Sequence, residues 1–146
     1  MRVAVASDHA GFALKQALVE RLGEAGHAVS DLGTDSEEPV DYPDYAAAVG
    51  RAVQEGKAER AILVCGSGAG AAIAANKLRG IRAAMVADSY TAHQCVEHDD
   101  ANVMALASRV IGKELAWELV TVFLAARFSG EERHVRRLDK VKAMEA

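Results

Sequence analysis

Residues Ala61–Gly70 read AILVCGSGAG. The first five form an unbroken apolar run, the pattern of a central parallel strand buried on both faces. A glycine-rich turn follows, and then a short helical stretch to about Leu78. This strand–turn–helix unit has counterparts on both sides. Arg2–Ser7 reads as a first strand, and Phe12–Ala25 as a helix with Leu14, Leu18 and Leu22 on one face and Gly26 at its stop. Ala28–Leu32 is a short second strand, and Gly33–Val40 a loop rich in turn formers. Asp41 is placed to cap the next helix, which carries Pro43 in its first turn, aligns Tyr45, Val49 and Val53, and ends at Gly56. Arg82–Ala87 is a fourth strand, Ser89–Glu97 a helix and Val103–Ala107 a fifth strand. Lys113–Ala126 is an amphipathic helix with Leu115, Leu119 and Phe123 on one face, and Glu131–Ala143 is a last helix. Strand–helix units in succession predict an α/β fold: a three-layer α/β/α sandwich around a five-stranded parallel sheet, Rossmann-like, with an extra C-terminal helix. One domain spans 1–146, and the pattern leaves the strand order open.

Composition narrows the function. The chain has 146 residues, of which 51% are hydrophobic, which argues against disorder. Twenty-one acidic against 17 basic residues give a net charge of -4, so no global basic field holds nucleic acid. Three Phe, three Tyr and one Trp are too few for base-stacking surfaces. Two cysteines make no disulfide framework. Asp8, Lys15, Glu20 and Arg21 interrupt any amino-terminal signal segment, and no apolar stretch approaches a membrane span. The expectation is a soluble cytoplasmic protein with reduced thiols, binding neither nucleic acid nor membrane.

Four clusters carry candidate chemistry. In Cys65–Gly70 (CGSGAG), Gly66, Gly68 and Gly70 let the backbone approach a ligand closely. Their amides form a nest for an anion, to which Ser67 adds a hydroxyl. Cys65 at its lip is either a base or nucleophile, or a small apolar residue finishing a buried strand. In Asp8–Gly11 (DHAG), Asp8 suits sugar hydroxyls or caps the helix, and His9 suits an anion. In His98–Asn102 (HDDAN), His98 is a candidate general acid near neutral pH, or part of a polar loop. On the last helix Arg133, Arg137 and Lys140 fall at i, i+4 and i+7, with Arg109 elsewhere; they form an arginine clamp for phosphate or a solvated face. All but that clamp are expected at carboxyl ends of strands, where ligands bind in such sheets. His93, Cys95 and His98 share no helix face, so no metal site is expected, and Cys95 reads as core or interface. A thiol base, an oxyanion nest, a histidine acid and a phosphate clamp together suit proton abstraction beside a carbonyl on a phosphorylated substrate.

The same residues resemble the type B ribose-5-phosphate isomerases, the RpiB/LacAB sugar-phosphate isomerase family. The resemblance rests on SDHAGF at Ser7–Phe12, DYPDYA at Asp41–Ala46, CGSGAGAAIAANK at Cys65–Lys77 and GIRAA at Gly80–Ala84. It continues through HDDANV at His98–Val103, SRVIG at Ser108–Gly112 and RHVRR at Arg133–Arg137. It implies cofactor-free, metal-free interconversion of ribose 5-phosphate and ribulose 5-phosphate. It implies Cys65 as the base of a cis-enediolate mechanism, with Ser67 and the amides of Gly66, Gly68, Ala69 and Gly70 around the oxyanion. His98 would assist ring opening and Asp8 hold hydroxyls. His9, Arg109, Arg133 and Arg137 would take the phosphate, and Tyr42 would line the pocket. Some members use a glutamate after the last glycine; here that position is Ala71, which places the chain in the cysteine subtype. A homodimer with shared active sites is implied, with a tetramer left open. Asp99 departs from the usual asparagine, exchanging an amide that donates and accepts for a carboxylate that only accepts. That change opens allose 6-phosphate, galactose 6-phosphate or a tetrose 4-phosphate as alternative substrates.

Two other readings compete. Gly66-x-Gly68-x-x-Ala71 followed by Asp88 matches a dinucleotide fingerprint, but it sits in the third unit and leaves no substrate domain. A non-catalytic sugar-phosphate sensor would keep the clamp without turnover, against which stand Cys65, Ser67 and His98.

Overall fold

The computed structural model describes residues 1–145. The strands are β1 (Arg2–Ser7), β2 (Ala28–Asp31), β3 (Arg60–Cys65), β4 (Ala83–Met85) and β5 (Val103–Ala107). The helices are α1 (Phe12–Glu24), α2 (Tyr42–Gln54), α3 (Ala69–Ala75), α4 (Ser89–Glu97), α5 (Lys113–Ala125) and α6 (Glu132–Ala143). All strand pairs are parallel, in the order β2-β1-β3-β5-β4. The last strand of the chain is therefore inserted between the third and fourth.

Side-chain alternation sorts the core into two layers. Val3, Val5, Ile62, Val64, Met104 and Leu106 point toward α1, α4 and α5. Ala4, Ala6, Leu63, Cys65 and Ala105 point toward α2 and α3. The small residues on the second face let α2 and α3 lie close to the sheet. Ile62 and Leu63 are fully buried on opposite faces, a burial worth about 1.5–3 kcal/mol each. The three-layer architecture expected from the chain thus holds, with α6 as the added helix. No helix among the described residues is long and apolar enough to cross a membrane.

Two local expectations are corrected. β4 covers three residues, not the six of Arg82–Ala87. It pairs only with β5, and on its outer side the Asn76 side chain fills the role of a neighbouring strand: Oδ1 accepts from Ala83 N at 2.8 Å and Nδ2 donates to Ala83 O at 2.9 Å. A side-chain amide so closes an edge that would otherwise offer open backbone groups. Asp41 does occupy the position before α2, but its carboxylate makes no capping bond.

Lys15 is wholly buried, a position that is costly for an ammonium unless it is paired. Its Nζ meets the Asp31 carboxylate at 2.7 and 2.9 Å, and Asp31 Oδ1 also accepts from Gly33 N at 3.0 Å. Ser7 N in turn donates to Gly33 O at 2.7 Å. This chain of contacts holds the turn after β2 against the end of β1, just before Asp8 and His9.

Candidate active site

The carboxyl edge of β1, β3 and β5 gathers most of the candidate residues. Asp8 N donates to Val64 O at 3.2 Å, which seats the β1–α1 turn on the end of β3. Asp8 is buried, and its Oδ1 accepts from Gly11 N at 3.0 Å. The carboxylate therefore ties its own turn; the position preceding α1 is Gly11. Val40 N donates to His9 Nδ1 at 3.1 Å. With Nδ1 accepting, a neutral His9 carries its proton on Nε2, a donor ready for an anion.

Cys65 is the last residue of β3, and its sulfur accepts from Gly68 N at 3.1 Å. Gly68 has φ +79°, a left-handed conformation, and a Cβ there would lie 3.0 Å from Met85 Cγ. Any other residue would open this turn and move the N–H that holds the sulfur. Ser67 is exposed and its Oγ accepts from Ala69 N at 3.3 Å. Gly70 meets Tyr42: a Cβ on Gly70 would fall 2.6 Å from Tyr42 Cζ, so the phenol ring lies flush on the glycine loop. Arg109 N donates to Gly66 O at 3.1 Å, and its guanidinium lies over Gly66. Ser108, which the sequence reading did not single out, joins three segments: its Oγ donates to Ala10 O at 2.8 Å and to Cys65 O at 3.2 Å. Ala71 is fully buried and offers no carboxylate.

The remaining candidates lie elsewhere, and this corrects the expectation that only the arginine clamp stands apart. In register, Ala61 pairs with Val103 and Cys65 with Ala107. His98–Asn102 lead into Val103, so they sit at the amino edge of the sheet. Four residues of strand, about 13 Å at 3.3 Å each, separate that edge from Cys65. The physical reason is simple: in a parallel sheet a loop from helix to strand lies at the opposite edge from a loop from strand to helix.

α6 docks on this second edge. The His98 and His134 rings stack with centroids 4.1 Å apart and an interplanar angle of 26°. Gln94 Nε2 lies 3.0 Å from His98 Nδ1. Asp99 and Arg137 line one cavity of about 750 Å³ together with Arg82, Cys95 and Leu138. Asp100 is spent on Arg82, at 3.1 Å, and Asn102 anchors Arg82 N and Gly80 O at 2.8 and 2.9 Å. Arg133 is exposed and reaches Glu131 at 3.1 Å. Cys95 lies on the buried face of α4, and burial, reinforced by the charge of Asp99, pushes its thiol up to about 11. It stays protonated at neutral pH, in keeping with a core role. His93 pairs with Glu97; with Cys95 and His98 turned to other partners, the three do not converge.

The chain and its fold have counterparts among known proteins. Residues 3–141 match the model of the Ribose/Galactose Isomerase family. Ribose-5-phosphate isomerase B of Escherichia coli (strain K12) is 44% identical over 144 residues, 99% of this chain and 96% of its own. D-erythrulose-4-phosphate isomerase of Pectobacterium atrosepticum is 41% identical over 132 residues, 89% of this chain and 86% of its own. The crystal structure of ribose-5-phosphate isomerase B from Mycoplasma genitalium with bound ribulose-5-phosphate is 39% identical and superposes with TM-score 0.94 over 99% of this chain and 95% of its own. With the sheet, the cysteine–glycine loop and the arginine helix all in place, the chain belongs to the Ribose/Galactose Isomerase family.

Proposed function

We propose that this enzyme interconverts ribose 5-phosphate and ribulose 5-phosphate by cofactor-free proton transfer, in active sites shared between two copies of the chain. The observation that carries the reading is the seating of Cys65: its sulfur ends the central strand inside the glycine loop, held by Gly68 N. Cys65, as the thiolate, takes the C2 proton of the open-chain aldose and returns it to C1, while the hydroxyl proton passes from O2 to O1 through the cis-enediolate, so that O1 ends as the hydroxyl and O2 as the carbonyl. Of the loop amides, Gly68 N holds the Cys65 sulfur and Ala69 N the Ser67 oxygen; the remaining amides of Gly66–Gly70 and the Ser67 hydroxyl proton serve the developing oxyanion, each such donor worth about 3–4 kcal/mol. His98 protonates the ring oxygen to open the furanose, and Asp8 holds sugar hydroxyls. His9, Arg109, Arg133 and Arg137 take the phosphate, and Tyr42 walls the loop.

Two copies are required by this assignment. Cys65, His9 and Arg109 sit on one edge of the sheet, and His98, Arg133 and Arg137 on the other. A second chain bringing its amino edge and α6 to the first chain's carboxyl edge completes the site, and the symmetric partner site forms at the same time. A base that must stay a free thiol also fits a reducing, cytoplasmic compartment.

Turnover of ribose 5-phosphate beside allose 6-phosphate, galactose 6-phosphate and erythrose 4-phosphate, each with EDTA, tests the assignment. Preference for ribose 5-phosphate supports it; no turnover on any sugar phosphate removes it. A tetrose is the second reading, favoured by the relative that acts on erythrulose 4-phosphate and by Asp99, an exposed carboxylate in the same cavity as Arg137. Asp99→Asn is expected to shift the ratio of kcat/KM between pentose and tetrose phosphates. Equal ratios in parent and variant would leave Asp99 without a part in specificity. Arg137→Ala is expected to raise KM for phosphorylated sugars far more than for free ones; an equal rise would reject its phosphate role.

A further inference from the structure

His134 is buried, with 3% exposed, on a helix whose charged residues otherwise face solvent. Both of its ring nitrogens are engaged. Arg133 Nε donates to Nε2 at 3.3 Å, so Nε2 is unprotonated. Nδ1 then carries the proton and donates it to Ser129 Oγ at 2.6 Å. Ser129 is itself fixed: its N donates to Glu97 O at 2.9 Å, and its Oγ also accepts from Glu131 N at 3.2 Å. Glu97 is the last residue of α4, next to His98. The segment before α6 is thus bolted to the end of α4, and the bolt presses the His134 ring onto the His98 ring.

The charge state matters as much as the contact. Burial, and the positive charges of a protonated His98 and of Arg133, push the His134 pKa down. Stacked at 4.1 Å, the His134 ring fixes the plane of the His98 ring. Gln94 completes the hold at Nδ1, so the proton of a neutral His98 sits on Nε2.

We propose that His134 is a positioning residue for His98, its uncharged ring orienting the histidine that opens the sugar ring. This rests on reading His98 as the ring-opening acid. The test therefore compares a substrate that must be opened with one that cannot close. Ribose 5-phosphate forms a furanose through O4. In D-erythrose 4-phosphate that oxygen carries the phosphate, so no furanose forms. His134→Ala is expected to lower turnover of ribose 5-phosphate about tenfold while changing that of erythrose 4-phosphate less than about twofold. Any loss through the freed Arg133 strikes both phosphates alike and cancels in their ratio. Equal losses on the two substrates would overturn the proposal. His98→Asn is run beside it. If His98→Asn discriminates between the substrates and His134→Ala does not, the positioning role fails alone. If His98→Asn does not discriminate, the ring-opening reading fails and takes the proposal with it.

A second measurement needs no turnover. Long-range proton–nitrogen spectra of histidine-labelled protein at neutral pH are expected to show His134 neutral with its proton on Nδ1, and the neutral form of His98 as one tautomer protonated on Nε2. In His134→Ala the His98 signals are expected to average between tautomers. A protonated His134, or His98 signals unmoved by the substitution, would overturn the proposal even if the tetrose proves a poor substrate.

Discussion

Cys65→Ser will lower kcat on ribose 5-phosphate at least about 100-fold and leave KM near the parent value. The serine hydroxyl fits where the thiol was and still receives the Gly68 N–H that reaches the sulfur at 3.1 Å. The glycine loop and its donors therefore stay in place, and substrate still binds. What disappears is the thiol itself, and the alcohol in its place is by its chemistry a far tighter holder of its proton. A 100-fold loss corresponds to about 2.7 kcal/mol of transition-state stabilisation. Ser67 does not substitute for the lost base: it too is an alcohol and holds its proton far more tightly than a thiol. Ala71 offers no carboxylate in its stead. Steady-state kinetics on the purified variant decide the matter, and a kcat close to the parent's would rule out the thiol.

Mixing two impaired chains will restore turnover of ribose 5-phosphate. Cys65→Ser damages the carboxyl edge and His98→Asn the amino edge, so each variant alone has two damaged sites per dimer. In a mixed dimer one site carries both lesions and the other carries neither. Random pairing makes about half of all dimers mixed, so about one quarter of the parent's sites are intact. Co-expression of differently tagged chains, capture of the mixed species and a turnover assay give the measurement. Recovery of about half of the parent's activity per captured mixed dimer, or about one quarter in the unsorted mixture, supports a shared site. Activity that stays at the level of the separate variants would mean that Cys65 and His98 act within one chain, against the register that pairs Cys65 with Ala107 rather than with the start of β5.

That register shows where reading the chain succeeds and where it stops. The apolar run Ala61–Cys65 announces a central strand because burial on both faces removes the polar alternation, and β3 does lie in the middle of the sheet. The glycines at 66, 68 and 70 announce a tight loop because so few residues tolerate one, and Gly68 does take a positive φ. Grouping residues by their chemistry puts His98 at the wrong edge because it overlooks the direction of the chain: His98 follows a helix and precedes a strand. His134 stayed hidden between two arginines at helical spacing. Its partners are Ser129 before the helix and His98 far back in the chain, and a stacking contact of that kind leaves no periodic trace. Lys15 escaped for the opposite reason. A lysine in a helix is read as solvated, and only the carboxylate of Asp31 makes its burial tolerable.

The insertion of β5 between β3 and β4 bears on how the chain is made. Synthesis proceeds from the amino end, and β1, β2 and β3 can pair as soon as they emerge. The other edge of β3 then waits, apolar and unpaired, through the whole of α3, β4 and α4. β4 has no place on the sheet until β5 arrives, since β5 is its sole strand partner among the described residues. A nascent chain stalled before Ala107 therefore lacks the keystone of its sheet rather than an outer stave. It presents a sticky strand edge of the kind that chaperones shield and aggregates exploit.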